Sequence, residues 1–231
     1  TAVFVVMALL AYFVKRTIKT RNNKPWLIKG SKNAKNSQVI TQDPKNENSI
    51  TLYRSDNEAG GAVFSYSFWF VIENMEYKYG EWKHVLHKGN ESSWPNRAPG
   101  IWLHPKENKM RVYMNTFKKI AEYTDIDGLP FNKWFHLVVA SKQNYLDIYI
   151  NGNLAKSHTM SSIAKQNYGD LYINALRGFG GFMSNIRYFD YYVNYADIDT
   201  ALQLGPAKGA CVDTTDLTPP YFTPNWWANK T

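Results

Sequence analysis

The chain has 231 residues, 27 basic and 19 acidic side chains, a formal net charge of +8 and 16% aromatic residues. One cysteine, Cys211, excludes an intrachain disulfide framework. A basic balance would ordinarily suggest nucleic acid, but Lys15, Arg16, Lys19, Arg21, Lys24, Lys29, Lys32 and Lys35 stand in one stretch with no acidic residue before Asp43. Removing those eight from 27 leaves 19 basic residues against 19 acidic ones, so the rest of the chain is neutral and no nucleic-acid partner is expected.

Residues 1–14, TAVFVVMALLAYFV, carry no charge. As a helix they would span about 21 Å, short of a hydrocarbon core of about 30 Å. With the basic run directly behind them they read as the C-terminal part of a transmembrane helix, in contact with a lipid membrane and with Lys15, Arg16, Lys19, Arg21 and Lys24 as a membrane-proximal basic collar. A cleaved signal peptide would carry its basic residues before the apolar run, and a buried core helix would show a polar face. Residues 15–48 read as a basic stem. The positive flank predicts that the body stays on the cytosolic side and that the sequons at Asn90 and Asn229 remain unmodified.

From residue 49 strand patterns dominate. In Phe64–Ile72, the residues Phe64, Tyr66, Phe68 and Phe70 share one face while Ser65, Ser67 and Trp69 share the other. His84–Lys88, Gly100–His104 and Met110–Met114 follow between Gly, Asn and Pro clusters. Trp134–Ala140 is a strand, and Leu146, Ile148 and Ile150 alternate with Asp147 and Tyr149. Trp134 and Ile148 are expected in the core. Asn151-Gly152 suits a tight hairpin turn with positive φ angles. Leu171–Ile173 and Phe182–Phe189 are further strands, and Ala196–Leu204 is a short helix. Residues 49–205 therefore predict an all-β domain, an antiparallel β-sandwich. Residues 206–231 form a tail with Thr218-Pro-Pro-Tyr-Phe-Thr-Pro-Asn-Trp-Trp227, whose Tyr221, Phe222, Trp226 and Trp227 suit an extended strap docking on its own domain or on a partner.

The order of four motifs resembles the concanavalin A-like jelly roll in its laminin-G-like form: Phe68-Trp69-Phe70, Asn132–Val138, Leu146–Gly152 and Gly180–Phe189 followed by a helix. The arrangement of apolar end, basic stem, one such domain and a Pro/Trp-rich tail also resembles membrane-anchored minor capsid proteins of large icosahedral DNA viruses, such as those of algae. That resemblance implies a virion protein tethering an internal membrane to other capsid proteins. The alternative is a membrane-anchored, lectin-like carbohydrate-binding protein.

Enzymatic activity is not expected. Glycosidases of this fold place carboxylates at even spacing on one strand, whereas Glu73 and Glu76 are three apart. Asp125-Ile-Asp127 reads as a turn, and Asp197-Ile-Asp199 falls in the short helix. No cofactor is expected: Gly178-Phe-Gly180-Gly181 lacks dinucleotide-loop spacing, and the five histidines are scattered, with His84 and His87 predicted on opposite faces of a strand and His136 structural. Asp125, Asp127 and Asp170 are the calcium candidates, each also suited to a turn or cap. Trp94 and Trp102, with Trp82, are the candidate glycan contacts.

Overall fold

The computed structural model describes residues 2–53 and 61–207. The expected partner contacts Tyr221, Phe222, Trp226 and Trp227, together with Cys211 and Asn229, lie outside the described residues. In chain order the elements are α1 (Ala2–Asn23), β1 (Trp26–Asn33), β2 (Gln38–Ile40), β3 (Val63–Asn74), β4 (Lys83–Gly89), β5 (Arg97–Leu103), β6 (Lys109–Met114), β7 (Glu122–Asp127), β8 (Phe135–Lys142), β9 (Tyr145–Ile150), β10 (Asn153–Thr159), β11 (Asp170–Ile173), β12 (Gly180–Phe189) and α2 (Tyr195–Leu204). Among the described residues the strands form two six-stranded antiparallel sheets, ordered β1-β12-β3-β8-β9-β10 and β2-β11-β4-β5-β6-β7.

The alternation in β3 sets the core. Phe64, Tyr66, Phe68 and Phe70 point inward and are almost fully buried. They meet Leu86, Ile101, Met110 and Leu171 of the second sheet in one continuous apolar cluster. Phe70 lies 4.0 Å, centroid to centroid, from Phe135 and 6.0 Å from Phe179, the latter edge to face. The outer face of β3 is covered too. Val138, Ala140, Phe189, Val193 and Ile198 form a second cluster where α2 lies on the first sheet. Asn194 caps α2 by accepting from the Asp197 backbone N–H, and Gly205 ends it at φ +68.

The expected hairpin forms at Asn151-Gly152, whose φ angles are +49 and +82 as a two-residue turn of this kind requires. The expected stem needs correction. Residues 15–48 are not a separate stem, because β1 pairs with β12 and β2 pairs with β11, each closing an edge of the sandwich. Leu27 and Ile40 are the side chains that bind these strands to the core, at 4% and 3% exposure. Asp125-Ile-Asp127 is not a turn but the end of β7, an edge strand whose alternation (Tyr123, Asp125 and Asp127 out; Thr124 and Ile126 in) is masked in sequence by its polar residues.

The transmembrane expectation also changes. α1 runs on through Lys15, Arg16, Lys19 and Arg21 to Asn23, so charge enters its second half. No helix among the described residues is long and apolar enough to cross a membrane. The apolar side chains from Val3 to Val14 are nonetheless 52–83% exposed.

Phe70→Ala is expected to remove about 3–5 kcal/mol of folding free energy. Trp134 is buried but outside both clusters, so Trp134→Ala should cost less. Urea denaturation of the two variants checks the order, and a Phe70→Ala protein close to wild-type stability would contradict this sheet register.

Candidate functional site

Among the described residues no helix covers the outer face of the second sheet, and its register assembles two rows of side chains. One row runs Tyr172, His87, Gly100, Tyr113, Tyr123. The other runs His84, Trp102, Arg111, Asp125. His84 and His87 were expected on opposite faces, three residues apart on a strand. A register shift between His84 and Leu86 puts Val85 and Leu86 both in the core and turns the two imidazoles to the same outer side.

Those imidazoles form a relay. The Ala175 N–H donates to His84 Nδ1 at 2.9 Å, which leaves the His84 proton on Nε2. That proton is donated to His87 Nδ1, 2.6 Å away, and His87 Nε2–H then donates to the Asn90 carbonyl at 2.8 Å. Every ring nitrogen is satisfied with both rings neutral. Burial pushes both pKa values down, for His84 with help from the neighbouring His87.

The Asn90 carbonyl begins the β4–β5 loop, which the relay thus holds from below. Gly89 makes the loop possible: at φ +155 a side chain would drive its Cβ to 1.8 Å from the Asn96 carbonyl oxygen. The buried Asn115 side chain accepts from the Arg97 N–H and donates to the Pro95 and Ile120 carbonyls, clamping the other end. Trp94 stands on this fixed loop, 54% exposed.

From Trp94 the face alternates cations and rings. The Arg97 guanidinium sits 5.7 Å from the Trp94 ring centre and 3.6 Å from that of Tyr113. The aliphatic stem of Arg97 lies over Gly100, where a Cβ would come within 3.2 Å of the arginine's own Cβ. Burial lowers the Arg97 pKa, and the aromatic faces supply its electrostatic partner. Arg111 is 3.9 Å from the Tyr123 ring and 4.9 Å from Trp82, and its Nε and Nη2 donate to the two Asp125 oxygens at 2.7 and 2.8 Å. This fork holds the Asp125 carboxyl below its usual range and raises the arginine.

The structure thus brings Trp82, Trp94 and Trp102 to one face but gives them different roles. Trp94 offers an open ring. Trp102 is 7% exposed and packs edge to face on His84, 4.6 Å between centroids, so it is floor and not a contact surface. Arg97, Arg111, Tyr113 and Tyr123 were not anticipated. The alternation of Met110–Met114 already put Arg111 and Tyr113 on one face, but Tyr123 needed β7 to be recognised as a strand.

Of the calcium candidates, Asp125 is committed to Arg111, Asp127 lies 3.4 Å from Lys109 Nζ, and Asp170 accepts from the Gln42 N–H at 2.8 Å. No group of three or more metal-ligating side chains suited to an ion occurs among the described residues. Of the basic collar, Lys15 is exposed on α1, and Lys24 follows the helix and lies 3.9 Å from Asp197.

Acid should destabilise the fold through its neutral histidines. His136, which is buried against Ser67 Oγ with its Nε2 2.8 Å away, is pushed down to about 4 by burial, and His84 and His87 are lowered as well. Below the unfolded-chain value of about 6.5 the unfolded state binds more protons than the folded one, so stability is complete above that pH and lost on descent through the folded values. Each histidine kept neutral contributes a slope of about 1.4 kcal/mol per pH unit within its window. Denaturation from pH 7 to 5 measures this, and a flat profile would contradict the neutral relay.

A family model described as the concanavalin A-like lectin/glucanases superfamily matches residues 43–199. No curated protein matches the chain. Similar solved structures include the receptor binding domain of botulinum neurotoxin D, with 14% identity and a TM-score of 0.54 over 79% of this chain and 53% of that one. The binding domain of botulinum neurotoxin DC in complex with rat synaptotagmin II shares 16% identity at a TM-score of 0.54, over 73% of this chain and 40% of that one. The binding domain of serotype D shares 15% at 0.52, over 73% and 46%. The chain spans about half the length of these structures or less, and at such identities the likeness is one of fold. With its family model covering well over half of its residues, the chain belongs to the concanavalin A-like lectin/glucanase superfamily.

Proposed function

We propose that this protein is a carbohydrate-binding module whose glycan site is the outer face of the second sheet. The observation that carries this reading is the ladder Trp94, Arg97, Tyr113, Arg111, Tyr123, with rings open to solvent at both ends and a polar pair between them. A sugar ring presents C–H groups to aromatic faces and hydroxyls to charged donors and acceptors, and a few fixed polar groups among aromatic walls are what such recognition needs. The loop that carries Trp94 is fixed before any ligand arrives, which limits the entropy lost on binding.

The reading is one of binding without hydrolysis. Glycosidic cleavage uses two carboxyl groups about 5–10 Å apart, one of them able to donate a proton. Asp125, on the edge strand of this face, is held ionised by Arg111 and is a poor proton donor.

A second observation supports membrane association of the same chain. The exposed apolar side chains of α1 and the basic run behind them suit a helix lying against an anionic lipid surface. The family match and the chemistry of the face favour a tethered lectin over a capsid linker.

A glycan array with the full chain is expected to show saturable binding. Trp94→Ala and Tyr123→Ala should each weaken it by about tenfold, the equivalent of about 1.4 kcal/mol, with little effect on folding because both rings are about half exposed. Binding unchanged in both variants would move the site elsewhere.

A further inference from the structure

The outer face of the first sheet carries a separate cavity of about 380 Å³ beneath α2. Two indoles line it, Trp26 at the start of β1 and Trp69 in β3. The Trp69 Nε1–H donates to the Ala201 carbonyl of α2 at 3.2 Å, which ties one wall to the roof. Arg187 lies between rings, its guanidinium carbon 4.7 Å from the Trp26 centre and 5.4 Å from that of Phe189, and its Nε donates to the Lys24 carbonyl at 3.0 Å. Among the described residues Arg187 forms no ion pair within 4 Å, and the only carboxylate lining the cavity, Asp197, is 3.9 Å from Lys24 Nζ. The cavity therefore holds two cations against one anion, with the terminal guanidinium N–H groups uncommitted to any carboxylate.

Its position adds the second observation. Lys24 directly follows α1, and the junction is pinned to the sheet: the Asp190 N–H donates to the Asn23 carbonyl at 2.9 Å and the Tyr188 N–H to the Pro25 carbonyl at 3.2 Å. The cavity rim thus lies at the end of the helix whose apolar side chains are exposed.

We infer that this cavity binds a phosphate ester, with the phosphate on Arg187 and Lys24 and the organic part between Trp26 and Trp69. A planar guanidinium takes two phosphate oxygens at once, and a lysine adds a point charge at the rim. Asp197 remains to accept from an amine or hydroxyl of the ligand. A phospholipid head group and a small soluble phosphate ester share this chemistry. The cavity and the glycan face lie on opposite sheets, so the two sites are separable.

The test titrates the full chain with glycerol phosphate and phosphocholine while following the indole N–H signals of Trp26 and Trp69 by NMR. A parallel arm measures binding to vesicles of phosphatidylcholine alone and of phosphatidylcholine with phosphatidylserine. The expected result is a saturable shift of both indoles, about tenfold weaker in Arg187→Gln and in Lys24→Gln and unchanged in Trp94→Ala. Lys24 is partly exposed, so its variant keeps the test valid if Arg187→Gln fails to fold. If the same variants also lower vesicle binding, the phosphate belongs to a lipid. If the soluble ester binds and vesicle binding ignores both variants, the ligand is a soluble ester. Absence of any saturable indole shift, with vesicle binding indifferent to both substitutions, overturns the proposal whatever the glycan array shows.

Discussion

The rest of the molecule depends on a strand buried on both faces. β3 places four aromatic rings in the sandwich core on one side and Ser65, Ser67 and Trp69 under a second layer on the other. Burying polar residues there demands partners. Ser65 Oγ donates to the Tyr191 carbonyl and accepts from the Val193 N–H, Ser67 meets His136, and Trp69 reaches Ala201. These bonds bring the segment after β12, and α2 behind it, onto the first sheet. They cover the centre of that face, over β3, β8 and β12, beside the cavity that Trp69 and Arg187 line. Among the described residues the second sheet carries no such helical layer.

On that face the irregularity in β4 between His84 and Leu86 organises the site. One bulge sends two successive apolar residues inward, so His84 and His87 both emerge outward and meet. A regular strand would have separated them and left the β4–β5 loop without its anchor at Asn90. The cost is a pair of buried imidazoles that must stay neutral. The gain is a rigid support for Trp94 and Arg97, whose own electrostatics are settled by aromatic faces and not by a carboxylate. Arg111 is different: its fork with Asp125 fixes both groups, which suits a binding surface and works against acid–base chemistry.

The two candidate sites obey different physics. The glycan face is shallow, with half-exposed rings, and its selectivity would come from hydroxyl geometry around a few fixed groups. The cavity under α2 is walled by indoles and carries unbalanced positive charge at the basic end of α1, so charge and desolvation dominate there. Both draw on one structural habit of this chain, an arginine placed against aromatic rings at a strand position facing outward.

Much of the sandwich was legible in sequence because period-two alternation is a local property. Phe64–Phe70, Leu146–Ile150 and the Asn151-Gly152 turn announce their geometry within a few residues, as does the helix at 196–204. Edge strands were not. β1, β2, β7 and β10 owe their existence to pairing with distant partners, and their polar, half-exposed residues carry no strong local pattern. The site followed the same division. Sequence supplied the residue types, notably Trp94 as an exposed ring, and put Arg111 and Tyr113 on one face. Only the tertiary structure buried Trp102, turned His84 toward His87, laid Arg97 over Gly100 and set Lys24 beside Arg187, because the first three follow from the irregular pairing of β4 with β5 and the packing on it, and the last from β1 pairing with the distant β12, none of which a local pattern records.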